Sequence, residues 1–419
     1  MTELGEIPIE WQIKSINDIC YVNPDTLSNK SDDSLSLEYI DIESVTTRRI
    51  NEIKKLEFKD APSRARRLIK RNDVIMSTVR PYLKAFAKIN IEKDNLVCST
   101  GFAVLRAKKN INHEFLFQSI LSDYYIQQLS NKMVGSNYPA VNSSDVRESN
   151  IILPPLEEQE KIASILSTVD EQIDNVDALI EKNKELKKGL MQTLLTKGIG
   201  HTKFKKTEIG EIPEEWEVIK FDNIISFLTD YEANGSFSSI KENVNIFDEP
   251  NYAYFVRATD LEKKDYINSV KYVDKESYKF LSKTSLNGGE LLIAKRGQIG
   301  KVYLMPNLDK KATLAPNLYL IKLDNEKANN KYVYYYFISS IGQKRLISNS
   351  ASTTLGAIYK DDVKKIKMVL PSIKEQEKIV LILSEIDEKI DGYENRREKL
   401  EELKKGLMQQ LLTGRIRVI

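Results

Sequence analysis

The chain repeats itself, and this repeat limits its fold more than any other feature of the sequence. Leu4-Gly-Glu-Ile-Pro-Ile-Glu-Trp11 returns as Ile209-Gly-Glu-Ile-Pro-Glu-Glu-Trp216. A longer block, residues 152–198, returns as residues 369–415 without a gap, at an offset of 217 and with 27 identities in 47 positions. Since a repeat of this kind marks a duplicated structural unit, we expect two copies of one frame in a single chain.

Two segments that hardly resemble each other lie between the repeated blocks. They are residues 20–151 and 226–368, here called the first and the second insert. Drift after a tandem duplication would erode the frame and the inserts alike, and the frame has been kept. Different inserts on a duplicated frame therefore indicate two versions of one task.

Positive charge is concentrated on the inserts. The whole chain carries a net charge of +2, but the first insert has 20 Lys and Arg against 16 Asp and Glu, and the second has 22 against 16. Residues 48–88 alone hold 13 basic and 4 acidic residues. A nucleic-acid footprint needs such a local excess, because each neutralised phosphate releases condensed counterions. A solvated face without a ligand is the alternative interpretation.

The longer repeated block predicts a long helix in each copy. Residues 157–195 contain no Pro and a single Gly, and apolar residues recur in steps of four and three, the spacing of a coiled-coil seam. The predicted seam consists of Ile162, Leu166, Val169, Ile173, Val176 and Ile180 in the first copy, and of Ile379, Leu383, Ile386, Ile390 and Tyr393 in the second. We expect the two helices to pair antiparallel and to hold the inserts apart. A coiled coil that only dimerises the protein is the alternative.

The order of the blocks predicts the fold class. We expect a mixed α+β fold, with two globular α/β domains separated by a long antiparallel two-helix coiled coil in a pseudo-two-fold and circular organisation. The predicted boundaries are residues 1–151 for the first domain with its box at 4–19, 152–198 for the first spacer helix, 199–368 for the second domain with its box at 209–225, and 369–419 for the second spacer helix.

Both inserts are predicted to contain the same order of elements. Strand-like runs are followed by a helix in each insert. In the first insert these are residues 73–78, 85–89 and 102–106 with a helix over 114–129, and in the second they are 290–294, 301–304 and 318–322 with a helix over 331–347.

Two loops in each insert carry side chains suited to nucleic acid. Arg, Lys, Gln, Thr and Tyr are the residues that reach phosphates and base edges. The candidates are Thr78, Arg80, Tyr82, Lys84, Ser136, Asn137 and Tyr138 in the first insert, and Lys295, Arg296, Gln298, Lys301, Thr353 and Thr354 in the second. Arg80 and Arg296 are the candidates for guanine or phosphate contact. Turn chemistry or ordinary surface charge would explain the same residues without a ligand.

Catalysis and metal binding have few residues to use. Cys20 and Cys98 are the only thiols and His113 and His201 the only imidazoles, and they show no metal-ligand spacing. The run from Gly297 to Lys301 is too short for a phosphate loop, and Val follows the Lys where that loop needs Ser or Thr. We therefore predict no catalytic residue and no metal site in this chain.

The sequence also favours a cytoplasmic protein. No apolar run approaches the roughly 20 residues that span a bilayer. The segment from Met1 to Trp11 is acidic and mixed, unlike a secretory signal.

Taken together, the motifs resemble those of one known family. Two copies of Leu-Pro-(Pro/Ser)-x-x-Glu-Gln-Glu-Lys-Ile, two of Gly-Glu-Ile-Pro-x-Glu-Trp and two of Lys-Lys-Gly-Leu-Met-Gln cover essentially the whole chain. The sequence is similar to the specificity (S) subunits of type I restriction-modification systems. The resemblance implies that each insert is a target-recognition domain for one half of a split DNA sequence, and that the paired helices space the two domains.

The same resemblance implies partners for this chain. Methyltransferase (M) subunits, expected as two copies, would dock on the paired helices, bind S-adenosylmethionine and methylate adenine N6. Restriction (R) subunits would use ATP and Mg to translocate and cut DNA. The chain itself would be a non-catalytic subunit that binds double-stranded DNA and holds no cofactor.

Two other classes of function remain open at this point. A free-standing DNA-modifying enzyme predicts S-adenosylmethionine- or Mg-dependent activity in the purified chain. A coiled-coil scaffold that binds only protein predicts no salt-dependent affinity for DNA.

Overall fold

The computed structural model describes residues 7–28, 30–266, 268–297, 300–350 and 357–418. The chain divides into two units. The first unit holds the chain up to Ala178 and from Glu394 onward, and the second holds Leu179–Tyr393. Each unit therefore contains one insert together with parts of both copies of the repeated block.

The first unit combines two four-stranded sheets with short helices. Its strands are β1 (Gln12–Ser15), β2 (Cys20–Val22), β3 (Ser36–Ile40), β4 (Val45–Thr46), β5 (Arg49–Ile50), β6 (Lys54–Glu57), β7 (Ala65–Leu68), β8 (Val74–Ser77), β9 (Phe86–Lys88), β10 (Leu96–Ser99), β11 (Phe102–Ala107) and β12 (Asn150–Leu153). Its helices are α1 (Ile16–Ile19), α2 (His113–Ile120), α3 (Asp123–Lys132) and α4 (Ser143–Glu148), followed by the start of α5 (Leu156–Lys197).

The sheets of the first insert are built from buried apolar strands. One sheet is antiparallel in the order β2-β11-β8-β9, and the other has the order β6-β3-β10-β7 with β3 and β10 parallel. All four residues of β8 and of β10 are buried, as expected of strands that are covered on both faces. Strands β1 and β12 pair antiparallel, with Gln12 opposite Leu153, so the strands that lead into and out of the insert lie side by side.

The second unit has the same kinds of element. Its strands are β13 (Phe204–Thr207), β14 (Gly210–Pro213), β15 (Glu217–Lys220), β16 (Ile225–Asp230), β17 (Ile246–Phe247), β18 (Ala253–Val256), β19 (Lys271–Val273), β20 (Ser285–Leu286), β21 (Leu291–Ala294), β22 (Val302–Leu304), β23 (Ala312–Leu314), β24 (Leu318–Leu323) and β25 (Lys367–Leu370). Its helices are α6 (Phe237–Asn243), α7 (Ala258–Lys263), α8 (Lys275–Phe280), α9 (Asn330–Ile338), α10 (Ser340–Ser350), α11 (Lys360–Lys365) and the start of α12 (Ile373–Leu411).

The two inserts share one topology although their residues differ. The antiparallel sheet β16-β24-β21-β22 repeats the order of β2-β11-β8-β9. The second sheet, β17-β19-β18-β23-β20, again contains a parallel pair, β18 with β23. Strands β15 and β25 close the second insert as β1 and β12 close the first. The prediction of two mixed α/β inserts with a common order of elements is confirmed.

The prediction of one helix after the last strand of each insert is wrong. Each predicted helix is two helices, and the break falls at Ser122 in the first insert and at Ser339 in the second. The Ser122 side chain accepts a hydrogen bond from the backbone of Tyr125, and Ser339 accepts one from Gly342. A serine at this place offers its own cap, so the chain can end one helix and begin another at a new angle.

The long helices α5 and α12 and their apolar seam are confirmed. Ten of the eleven predicted seam residues are buried, whereas Tyr393 is only half-buried. Besides facing the other long helix, part of the seam packs in the globular core of each unit. Ile162 and Leu166 pack in the core of the first unit with Trp11, and Ile379 and Leu383 pack in the core of the second.

Ion pairs fix the direction of the helices within the first unit. The Nζ of Lys404 lies 2.7 Å from the Oδ1 of Asp170, and the Nε of Arg397 lies 2.7 Å from the Oδ1 of Asp177. As the residue number rises from 170 to 177 in α5, the number of its partner in α12 falls. The two helical segments of this unit therefore run antiparallel, as predicted.

The second unit repeats this arrangement. Lys187 and Asp387 stand at the offset of 217 from Lys404 and Asp170, and their charged atoms are 2.5 Å apart. Further along α5, Leu194 packs in the same core as α12 residues that precede Asp387. The duplicated sequence thus makes the same interhelical contact in each unit, and the helical segments are antiparallel here as well.

The tryptophan that ends the short repeated box contacts the long helix in the first unit. The Nε1 of Trp11 donates a hydrogen bond to the Oε2 of Glu158, 2.9 Å away, near the start of α5. Arg417 binds the same carboxylate with its Nε at 2.7 Å and reaches Glu10 with Nη2 at 2.9 Å. Burial opposes ionisation of Glu158, but the hydrogen bonds from Arg417 and Trp11 outweigh it and lower the pKa of this carboxyl. Residues near both ends of the sequence thus meet on one side chain, as the circular plan predicts.

The second copy of the box makes the same contact. Trp216 donates to the Oε2 of Glu375 at 3.0 Å. The place of Arg417 is taken by His201, whose Nε2 lies 2.8 Å from the Oε1 of Glu375. The Trp and the first Glu of Glu-Gln-Glu are therefore kept in both copies because they form one hydrogen bond.

The glutamine of Glu-Gln-Glu attaches each insert to its helix. Its amide oxygen accepts from the backbone of the Asn that caps the helix after the last strand of the antiparallel sheet, α2 or α9, and its amide nitrogen donates to the carbonyl of a proline before the long helix. Gln159 does this with Asn112 (3.0 Å) and Pro154 (2.9 Å), and Gln376 with Asn329 (2.8 Å) and Pro371 (2.9 Å). An amide side chain carries an acceptor oxygen and a donor nitrogen, so one residue makes both contacts.

Candidate nucleic-acid interface

The candidate residues of the first insert belong to two loops that the fold brings together. Strand β8 ends at Ser77, and a single β-bridge joins Val79 to Ala140 of the later loop. The backbone of Val141 donates to the carbonyl of Thr78 at 2.9 Å. The loop of residues 77–84 and the loop of residues 134–140 therefore form one surface, here called the first loop surface.

Arg80 is the cation that lies at the centre of the first loop surface. Its backbone has φ of +47° and donates to the carbonyl of Pro139 at 2.8 Å. Its Nη2 donates to the carbonyl of Asn137 at 2.8 Å, and its guanidinium carbon lies 4.9 Å from the ring centre of Tyr138. A guanidinium stacked on an aromatic ring is held in a defined plane.

The other candidates on this surface differ in their exposure and in whether they already have a hydrogen-bond partner. Ser136, Asn137 and Tyr138 are exposed, and 45% of Tyr82 is exposed. Thr78 uses its hydroxyl to donate to the carbonyl of Gly101 at 2.9 Å. Its structural function is therefore to hold the loop.

Lys84 is an ion-pair partner inside the first insert. Its Nζ lies 2.8 Å from the Oδ1 of Asp123 on α3. The hydrogen bond from Lys84 lowers the pKa of this carboxyl, against the opposing effect of burial. Lys84 would have to exchange this partner for a phosphate in order to bind DNA.

The second insert places its loops in the same way. Strand β21 ends at Ala294, and a single bridge joins Arg296 to Ala357, each 217 positions after its counterpart in the first insert. We call these two equivalent contacts the loop bridges. Arg296 is exposed. The predicted candidates Gln298, Thr353 and Thr354 lie outside the described residues.

Lys295 is held by carboxylates of its own insert. Only 11% of its side chain is exposed, and its Nζ lies 3.0 Å from the Oδ2 of Asp230 and 2.6 Å from the Oε2 of Glu232. Burial alone would raise the pKa of Asp230, but Lys360 and Lys295 outweigh it and lower this pKa. Its contact with DNA stays a prediction, and in this structure Lys295 fastens β21 to β16.

Lys301 also has a partner within its insert. Its Nζ lies 2.6 Å from the Oε1 of Glu262. Lys301 stands 217 positions after Lys84, and the last basic residue of each loop forms an ion pair within its insert, with partners at different positions.

Part of the basic excess in residues 48–88 serves the frame. Arg48 and Arg49 reach the carboxylates of α5, and the Nη2 of Arg49 lies 2.7 Å from Asp174 and from Asp177. These arginines anchor the insert to its helix. A count of basic residues cannot distinguish such an ion pair from a phosphate contact. The spacing of the acidic residues could have indicated these ion pairs, because Asp170, Asp174 and Asp177 lie on one face of a helix.

A cluster of lysines and tyrosines in the second insert was missed by the sequence analysis. The Nζ of Lys311 lies 3.0 Å from the hydroxyl of Tyr252, and Lys310 lies over the rings of Tyr254 and Tyr272 at 5.9 and 5.5 Å. Both lysines are exposed. Basic side chains and aromatic rings occur together where single-stranded nucleic acid is bound. The dipeptide Lys310-Lys311 and the alternation Tyr252-x-Tyr254 are the signals that could have found this cluster.

Neither a metal-binding cluster nor a membrane-spanning helix is found among the described residues. No group of three or more His, Cys, Asp and Glu is placed to hold a metal ion. No helix within the described ranges is both long enough and apolar enough to cross a bilayer.

The sequence matches a known family over most of its length. The model of the type I restriction modification DNA specificity domain matches twice, at residues 8–187 and 213–402. The chain belongs to this family. A related specificity subunit is that of the type I restriction enzyme MjaVIII of Methanocaldococcus jannaschii, which is 31% identical over 79% of this chain and 76% of its own length. The MjaIX specificity subunit of the same organism is 24% identical over 100% of this chain and 96% of its own.

Solved structures show that specificity subunits share this fold. A chain from a study of complex assembly and conformational transition of the type I restriction-modification system has a TM-score of 0.58, with 24% identity over 98% of this chain and 100% of its own. The S subunit of M. genitalium has a TM-score of 0.57, with 15% identity over 98% of both chains. The predicted resemblance and the predicted mixed fold with long helices are confirmed, and this specificity subunit contains two specificity domains in one chain.

Proposed function

We propose that each insert of this specificity subunit reads one half of a bipartite DNA target. The observation that supports this is the pair of loop bridges, Val79 with Ala140 and Arg296 with Ala357. They put two loops together at equivalent positions of both inserts, while the side chains presented there differ. Base-edge contacts depend on side-chain identity, so one scaffold with two sets of side chains suits two different base sequences.

The long helices are proposed to set the spacing of the half-sites. Helix α5 has 42 residues, which at about 1.5 Å per residue gives a length of about 63 Å. One turn of B-DNA is about 34 Å. The helix is therefore longer than the distance between two major-groove faces one turn apart.

The helices are also proposed to dock two methyltransferase subunits. Leu186 and Leu403 stand at equivalent positions of α5 and α12, and 51% of each is exposed. Single exposed leucines are common, but an exposed leucine at the same position in both copies of the repeat indicates a binding surface that is present twice. The partners would bind S-adenosylmethionine and methylate adenine N6 after flipping the base out of the duplex. Restriction subunits would supply ATP- and Mg-dependent translocation and cleavage.

DNA binding across a salt series tests the recognition function. The specificity subunit would be measured alone and with its methyltransferase partner, on duplexes drawn from the genome of its source and on scrambled duplexes. We expect weak binding alone and sequence-specific binding in the complex, with affinity falling as salt rises. Equal affinity of the full complex for scrambled DNA would contradict the proposal, and so would methyl transfer by the isolated chain.

The mass of the complex tests the docking proposal. Leu186→Glu and Leu403→Glu should each remove one methyltransferase subunit, and the double variant should remove both. Gln172→Glu, an exposed change on the same helix, is the control and should leave the mass unchanged. A double variant that still carries both partners would show that the subunits dock elsewhere.

A further inference from the structure

Arg80 and Gly297 occupy the same position in the two inserts. Each directly follows the first residue of its loop bridge, and they are 217 positions apart. The backbone contact after the bridge is also repeated, from Val141 to Thr78 at 2.9 Å and from Ile358 to Lys295 at 3.1 Å. The equivalence therefore comes from hydrogen bonding and not from sequence similarity.

Both residues have a left-handed backbone, which glycine adopts readily and arginine does not. The φ angle is +47° at Arg80 and +77° at Gly297. A side chain at positive φ is destabilising because its Cβ crowds the neighbouring carbonyl oxygen. The second insert avoids this strain with glycine, whereas the first keeps a large side chain at the same place. Strain that is kept where glycine fits indicates a functional requirement for the side chain.

The Arg80 side chain is held in a way that suits a planar ligand. Its guanidinium lies against the ring of Tyr138, which is 73% exposed, and one N–H donates to the carbonyl of Asn137. Among the described residues it forms no ion pair, so it differs from Lys84 on the same surface. An arginine has five N–H donors in a flat fork, and the fork matches the O6 and N7 atoms of guanine in the major groove.

We infer that Arg80 selects a guanine in the half-site read by the first insert, and that the second insert, with Gly297 at this place, reads the equivalent base pair by other residues. The inference rests on the proposed function of the inserts. A guanidinium fork also binds a phosphate bidentately, but a phosphate contact would not depend on the base sequence.

Three variants of the methyltransferase-bound complex test this inference. Arg80→Gly gives the first insert the residue that the second insert carries, and Arg80→Lys keeps the charge but removes the fork. Lys55→Gln removes a charge from an exposed position on β6 of the same insert and is the control. Each complex is selected against a DNA library randomised in both half-sites, and its affinity is measured across salt together with its melting temperature.

We expect both Arg80 variants to lose preference for guanine at one position of one half-site, by about tenfold or more. The other half-site should keep its preferences, the Lys55→Gln complex should keep both, and Arg80→Gly should melt no lower than the wild type. An unchanged selection profile would overturn the inference. So would a uniform loss over all sequences with a salt slope reduced by about one, which is the behaviour of a phosphate contact.

The test separates this inference from the proposed function. A wild-type complex without any sequence preference would overturn the proposed function. A selective wild type with an equally selective Arg80→Gly variant would overturn the guanine contact alone. A fall in melting temperature with losses in both half-sites would show that Arg80 has a structural function instead.

Discussion

Trp11 and Glu158 are 147 positions apart in the sequence, and the indole Nε1 of Trp11 donates to the Oε2 of Glu158 at 2.9 Å. This bond ties the segment before the first insert to the helix after it. Trp216 and Glu375 form the same bond in the second copy at 3.0 Å. Two of the most recognisable motifs of the sequence are thus the two halves of one structural contact.

Glu158→Gln should destabilise the first unit by about 1.5–3 kcal/mol, since it weakens charge-assisted hydrogen bonds to a buried group. Only 6% of the Glu158 side chain is exposed. The neighbouring Glu157→Gln is the control: its side chain is 81% exposed and pairs with Lys161, so the expected cost is below about 0.5 kcal/mol. Chemical unfolding measures both. Equal costs would show that the charge of Glu158 contributes little to stability.

The stability that Glu158 provides should depend on pH. Its pKa is lowered in the folded state from an ordinary value of 4.5, so the ionised form binds its partners more strongly than the protonated form does. The contribution is complete above the ordinary pKa and is lost as the pH falls through the lower folded value. The difference in unfolding midpoint between the wild type and Glu158→Gln should therefore shrink between pH 6 and pH 3. A constant difference over this range would contradict the assignment.

Asp170→Ala should cost more than Asp387→Ala, although the two residues are copies of each other. Asp170 contacts Lys404, Gln118 and Arg48, and only 14% of its side chain is exposed. Asp387 contacts Lys187 and Tyr335 and is 33% exposed. We expect about 3–5 kcal/mol for the first variant, which leaves buried cations uncompensated, and about 1–3 kcal/mol for the second.

The unfolding free energies of the two alanine variants decide this prediction, and each serves as the control for the other. The substitution and the helical setting are the same, so the difference reflects the number of partners and the depth of burial. A larger cost for Asp387→Ala would mean that the contacts of Arg48 and Gln118 with Asp170 add nothing.

Lys295→Gln and Arg296→Gln should separate stability from DNA binding. Lys295 is held between Asp230 and Glu232, so its loss should cost about 1–3 kcal/mol of stability. Arg296 is exposed, so its loss should leave the melting temperature within a degree or two while lowering DNA affinity in the complex. Melting curves and binding curves of the two variants form the comparison. An Arg296→Gln complex with unchanged affinity would remove Arg296 from the interface.

The frame could be predicted from the sequence because its determinants are periodic or repeated. The apolar spacing that begins at Ile162 gave the long helices, and the seam is buried as expected. The repeat at an offset of 217 predicted two copies of one frame, and the pairs Lys404–Asp170 and Lys187–Asp387 form the same contact in both copies. The helix breaks at Ser122 and Ser339 were missed, because a serine inside an amphipathic run reveals its cap only when the backbone turns there.

The loop surfaces were located by sequence, but the state of their side chains was not. Thr78, Arg80 and the 134–140 loop do lie together. Lys295 was predicted as a DNA-binding residue, and its partner Asp230 lies 65 positions earlier in the chain. Pairing between distant residues depends on the fold of the sheet and leaves no local pattern. Positive φ at Arg80 is likewise invisible in the sequence, because arginine is not a residue that favours it.

The side-by-side strands at the base of each insert have an evolutionary consequence. Because β1 and β12 pair in register, and β15 and β25 do the same, the chain enters and leaves each insert through two neighbouring strands, about 5 Å apart. A replacement domain would need two ends that lie this close, together with partners for Gln159 and Gln376 of the long helices. On the proposed function, exchange of a whole insert would change the DNA half-site that is read, while the long helices stay the same.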